Sequence, residues 1–159
     1  MVNPDDPAAL VTPISGRFAG GVHYFPARVY FEDTDAGGVV YHANYLRFME
    51  RARADMLRLI GIDQRAALDG GEGVYAVTRV EIDYRRPARL EDDLVIESRV
   101  ALVRAASCII EQKVRRGPEL LTEGLVIVAF LSPEGRPRRQ PPRWVELFNR
   151  IAQGEDFSA

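Results

Sequence analysis

Cysteine and lysine are almost absent: Cys108 and Lys113 are the single examples in 159 residues. One thiol cannot build a disulfide framework, which agrees with a reducing compartment and makes the cytoplasm the expected location. No apolar run approaches the roughly 20 residues a membrane-spanning helix needs. The first 22 residues have neither a basic start nor an apolar stretch, so they read as a flexible leader and not as a secretory signal. No Gly-x-Ser-x-Gly elbow occurs, which argues against an α/β-type serine hydrolase. Two histidines, His23 and His42, with one cysteine offer no metal-ligand spacing, and no glycine-rich phosphate cradle is present. A net charge of −2 gives no global basic field, so nucleic acid is not an expected partner. Twenty arginines stand against the one lysine. Codon usage alone can produce that bias, so arginine content by itself implies no ligand.

What is present suits one soluble domain, since 47% of residues are hydrophobic and 28% charged. The domain is expected over residues 23–153, with residues 1–22 as the leader and 154–159 as a flexible tail. Tyr24 to Phe31, aromatic and β-branched, predicts a first strand, with Pro26 near its start. Glu32 to Gly38 breaks every periodicity and predicts a loop. From Asn44, Tyr45, Met49, Ala52, Met56 and Leu59 recur at steps of three and four, predicting a long amphipathic helix that Gly61 stops. Four strand-like runs follow, Val74 to Tyr84, Asp93 to Val103, Ala106 to Val114 and Leu120 to Leu131. A closing helix is expected over Pro142 to Ala152, with Trp144, Leu147, Phe148 and Ile151 as its apolar side. The order is that of an α+β domain with a mostly antiparallel sheet. Leu125 to Leu131 is apolar on both faces, and one long helix covers only part of such a sheet. Self-association is therefore expected.

Residues 30–45 carry the densest chemistry: Glu32, Asp33 and Asp35, the pair Gly37-Gly38, then Tyr41-His42 at a helix start. A helix start offers unpaired N–H groups and positive potential, which suits a carbonyl oxygen that becomes negative during reaction. Gly37 and Gly38 permit a sharp turn and close backbone approach. An N-cap region with helix-favouring acids accounts for the same residues. Composition and spacing alone leave both possibilities open.

The run Tyr30 to Tyr45, with Phe48, Glu50-Arg51-Ala52-Arg53 and Met56, resembles the YbgC-type, Tol-Pal-associated acyl-CoA thioesterases, and more broadly the 4-hydroxybenzoyl-CoA thioesterases. The resemblance continues weakly through Tyr84 to Leu90 and Arg136-Pro137-Arg138, covering about Val29 to Phe148. It implies a hotdog fold, with an antiparallel sheet wrapped around one long central helix and active sites at the interface of a homodimer or homotetramer. It also implies hydrolysis of acyl-CoA to free acid and coenzyme A. Asp35 matches the catalytic carboxylate, as nucleophile or general base, and His42 matches the carbonyl-binding helix start. Asp33 is the less expected catalyst. Gly37, Gly38 and Tyr41 are expected to support the loop and oxyanion site. Arg104, Arg136, Arg138 and Arg139 are candidates for the phosphates of coenzyme A, which is part of the substrate, so no separate cofactor is implied. Arg85 and Arg86 depart from the family's smaller or apolar residues there. A hotdog hydratase or dehydratase is an enzymatic rival. A non-hydrolytic scaffold for acyl carrier protein or cell-envelope partners is a rival of another class.

Overall fold

The computed structural model describes residues 5–158. Its strands are β1 (Arg17–Ala19), β2 (Val22–Arg28), β3 (Val74–Tyr84), β4 (Asp93–Val103), β5 (Ser107–Arg116) and β6 (Glu119–Leu131). Its α-helices are α1 (Asn44–Leu59), α2 (Gln64–Asp69) and α3 (Pro142–Ala152). All strand pairings are antiparallel, in the order β1-β2-β4-β5-β6-β3, so β1 and β3 are the edges.

The stripe read from the sequence is the face by which α1 packs on this sheet. Tyr45, Phe48, Met49 and Ala52 in its first half join Val29, Leu94, Ile96, Val114 and Leu121 in one apolar cluster. Met56, Leu57 and Ile60 join Val100, Ile110 and Phe130 in a second, closed by Trp144, Phe148 and Ile151 of α3. A buried polar belt crosses the sheet below α1. His23 pairs with Ser98, Ser98 with Gln112 and Gln112 with Gly124, on four successive strands. Two helix residues drop into it. Arg53 Nη1 donates to Gln112 Oε1 at 2.8 Å, and Asp55 Oδ2 lies 2.7 Å from His23 Nε2. Gln112 Nε2 completes the belt by donating to Ser98 Oγ and to the Met49 carbonyl. Buried polar groups persist where they are paired, and here the pairs fix the register of helix on sheet.

Four expectations need correction. The first strand ends at Arg28, not Phe31, because the Asp33 carboxylate accepts the Tyr30 N–H at 2.8 Å and draws the chain into a short turn, Phe31–Asp33. The supposed leader contains β1, since Ser15 Oγ and the Gly16 N–H donate to the two Asp55 oxygens at 2.8 Å each. A Cβ at Gly16 would lie 2.2 Å from the Tyr24 carbonyl oxygen, so this close approach needs glycine. Gly20 and Gly21, with φ of 61° and 74°, make the β1–β2 hairpin turn. The tail is not loose either. Asp156 Oδ1 accepts the Gly21 N–H, and the Phe157 ring packs 5.9 Å from that of Phe18. Residues 1–4 of the leader and 159 of the tail lie outside the described residues. Finally, α2 was not foreseen. Its cap is Asp63, which accepts the Ala66 N–H at 2.9 Å.

Candidate active site

The loop between β2 and α1 is a tight hairpin built by its own polar groups. The Asp35 N–H donates to the Val39 carbonyl, the Gly38 N–H returns to the Asp35 carbonyl, and Thr34 pairs with Val40. Gly38 closes the turn with φ of 77°, a conformation that side chains disfavour. Asp35 Oδ1 accepts the Gly37 N–H at 2.8 Å. No described group bonds the other oxygen, and the residue is exposed.

Asp33 differs in every respect. It is buried, and its Oδ2 accepts the Tyr30 N–H, its Oδ1 the Asn44 amide at 2.6 Å, and its carbonyl the Tyr41 N–H. These bonds tie the hairpin to the first residue of α1. One acid of the Asp-x-Asp pair therefore builds the loop while the other presents a carboxylate.

The start of α1 carries no capping side chain and no acid in its first turn. The N-cap explanation of the acidic loop thus finds no support. The N–H groups of His42 and Ala43 have no backbone acceptor among the described residues, which is how an uncapped helix start holds donors ready for an external oxygen. Around these donors stand aromatic rings. The His42 ring lies 4.4 Å from that of Tyr41 and 6.4 Å from that of Tyr84. Tyr45, by contrast, is buried, and its hydroxyl accepts the Ala88 N–H at 3.0 Å.

The four arginines expected to hold phosphates are not beside this loop. Arg104 lies in the β4–β5 turn, and Arg136, Arg138 and Arg139 follow β6, at the Val74–Leu131 end of the β3–β6 pair. Arg138 Nη1 donates to the carbonyls of Gly71 and Glu72, and Arg138 and Arg139 border an open groove of about 550 Å³. The loop instead touches Tyr84, ten residues along β3, or about 30 Å at roughly 3.3 Å per residue. One subunit carries Asp35, Tyr41 and His42 on the one hairpin that leads into α1 but leaves Arg104, Arg136, Arg138 and Arg139 at its far end. A partly open cavity of about 90 Å³ beside α1, bounded by Glu50, Arg53, Tyr75 and Cys108 among others, does not reach the loop either. Three residues near the loop were not expected as site residues from the sequence: Asn44, Tyr84, and Arg89, whose backbone bridges Val39. Asn44 at the first helical position was the one legible signal.

Residues 37–123 match the family described as the thioesterase superfamily. The chain belongs to that superfamily. This thioesterase is 45% identical over 105 residues to the acyl-CoA thioesterase YbgC of Haemophilus influenzae, covering 66% of the chain and 77% of that protein. It is 39% identical to the acyl-CoA thioester hydrolase YbgC of Escherichia coli O6:H1, over 79% of the chain and 95% of that protein. A probable thioesterase from Bartonella henselae superposes with a TM-score of 0.73 at 40% identity, over 76% of this chain and 99% of that one. The hotdog fold expected from the sequence is thereby shown, a six-stranded antiparallel sheet with one long helix. No described helix of the thioesterase is long and apolar enough to cross a membrane.

Proposed function

We propose that this chain hydrolyses acyl-CoA thioesters to a free acid and coenzyme A, with Asp35 acting on the thioester and the helix start at His42 receiving its oxygen. The observation that carries this reading is a carboxylate with one free oxygen, held on a rigid turn that leads directly into an uncapped helix start. Two routes begin from that oxygen. Attack on the carbonyl carbon expels the coenzyme A thiolate and gives a mixed anhydride that water then opens to the free acid and Asp35, whereas abstraction of a proton from water lets hydroxide add to the carbonyl and expel the thiolate, which takes up the proton. In both, the carbonyl oxygen gains negative charge beside the N–H groups of His42 and Ala43, a contribution of about 3 kcal/mol per donor. The His42 imidazole adds a hydrogen bond, and Gly37, Gly38 and Tyr41 keep the turn and helix start in register. Coenzyme A enters as part of the substrate, and no separate cofactor is called upon.

The exposure of Asp35, His42 and Tyr41 in a single subunit favours a second copy as cover. The edge strand β3 is open to pairing. An outward apolar row, Leu102, Ile109 and Ile127, crosses three strands with Leu102 43% exposed. We therefore propose a homodimer or homotetramer in the cytoplasm, in which Arg104, Arg136, Arg138 and Arg139 of one subunit reach coenzyme A bound by another. The test is release of free thiol from a panel of acyl-CoA esters by the purified chain, with the same acyl groups on acyl carrier protein alongside. Thiol release from at least one coenzyme A ester is expected. A folded chain that cleaves none overturns the proposal, and cleavage of the carrier-protein esters alone replaces coenzyme A by a protein partner.

A further inference from the structure

The peptide segment at the start of α1 is held at three points. The Tyr41 N–H donates to the Asp33 carbonyl at 2.9 Å and the Asn44 N–H to the Tyr41 carbonyl at 2.8 Å. The third point comes from outside the loop, where the Tyr84 hydroxyl donates to the His42 carbonyl oxygen at 2.7 Å. Tyr84 is the last residue of β3, and its partner across the ladder is Thr122 of β6, so the hydroxyl is delivered by the sheet and not by a mobile segment. Its ring also lies 5.5 Å from that of Tyr45, edge on. Tyr45 is in turn fixed by its bond from the Ala88 N–H. A tyrosine that is 46% exposed has water available to its hydroxyl, yet here it is spent on one backbone carbonyl.

That carbonyl has a particular neighbour. In a trans peptide the N–H points away from the C=O of the same unit, so the amide whose oxygen Tyr84 holds carries the Ala43 N–H on its opposite side. Fixing the oxygen fixes the direction of that N–H and blocks rotation at His42. A hydrogen bond accepted by an amide oxygen also polarises the amide and strengthens its own N–H as a donor.

We infer that Tyr84 is a positioning residue for hydrolysis, aiming the Ala43 N–H through its bond to the His42 carbonyl. This rests on the proposed reaction at Asp35. Tyr84 touches no reacting atom. Its effect belongs to the stage at which the carbonyl oxygen becomes negative, because preorganised donors are worth most where charge develops.

The test is Tyr84→Phe, which keeps the ring and its contacts with His42 and Tyr45 and removes only the hydroxyl. Steady-state hydrolysis of the best acyl-CoA ester, with circular dichroism and a thermal melt of the same sample, gives the readout. The expected result is a fall in kcat of about five- to tenfold, the worth of one ordinary hydrogen bond, with KM within about twofold and the melt unchanged. Tyr84→Leu, which also removes the ring edge, is expected to lose more kcat than Tyr84→Phe. An unchanged kcat in Tyr84→Phe overturns the inference. So does a rise in KM at constant kcat, which makes Tyr84 a substrate contact, or a loss of activity matched by loss of folded protein. A wild-type chain that releases no thiol overturns the hydrolytic proposal itself, so the two failures are distinct.

Discussion

Asp33 and Asp35 are two residues apart, yet their environments divide the work between them. Asp33 is buried with a hydrogen bond to each carboxylate oxygen, whereas Asp35 keeps an oxygen free at the surface. The division depends on the Gly37-Gly38 turn. Gly38→Ala forces a side chain into φ of 77°, at a cost of about 1 kcal/mol. Since that strain relaxes by moving the turn, the expected outcome is a small loss in the thermal midpoint and a larger loss in kcat. Melting and steady-state kinetics on one preparation check it, and a variant that loses stability alone contradicts the positional role of the turn.

At the scale of elements, the long strands and α1 were legible because burial imprints its period on the sequence. Val74 to Tyr84 and Pro142 to Ala152 coincide with β3 and α3, and α1 starts at Asn44 as predicted. The misses share a cause. β1 has three residues and α2 six, too short for a period, and each is anchored by one acid, Asp55 for the first and Asp63 for the second. Asp55 lies outside the apolar stripe of α1, and its partners Ser15, Gly16 and His23 are 32 or more residues away. No local pattern announces such a pair. The role of Tyr84 was hidden likewise, since its partner is 42 residues earlier.

The belt makes a prediction of its own. Burial lowers the pKa of His23 below its ordinary value, and the hydrogen bond and charge of Asp55 oppose this without overcoming it. His23 Nδ1 is buried with no partner, so a second ring proton would be left unpaired. The folded state thus binds a proton on His23 less readily than the unfolded state, and stability rises with pH between the depressed value and about 6.5. Denaturant unfolding is expected to show stability falling as pH drops through 6.5 towards the lowered pKa. His23→Gln, which retains a donor for Asp55, is expected to flatten that limb. A slope that persists in the variant assigns the effect to another group.

The whole molecule has its loop chemistry at one end of the β3–β6 pair and Arg104, Arg136, Arg138 and Arg139 at the other, about 30 Å apart within one chain at roughly 3.3 Å per residue. A coenzyme A ester that needs both ends calls for more than one subunit. Light scattering is expected to give a mass that is a multiple of 17.8 kDa. An active monomer contradicts the shared site and leaves Arg89, beside the loop at Val39, as the nearer phosphate contact. The family is fixed by the match over residues 37–123, while the assignment of labour within the site rests on Asp35. Its direct test is Asp35→Asn, a change of one oxygen to an amide at an exposed position, assayed for thiol release alongside scattering of the same sample. The account predicts turnover lowered by at least a hundredfold with the oligomer and fold intact, the scale of a lost base or nucleophile. Undiminished turnover in an intact Asp35→Asn oligomer contradicts it.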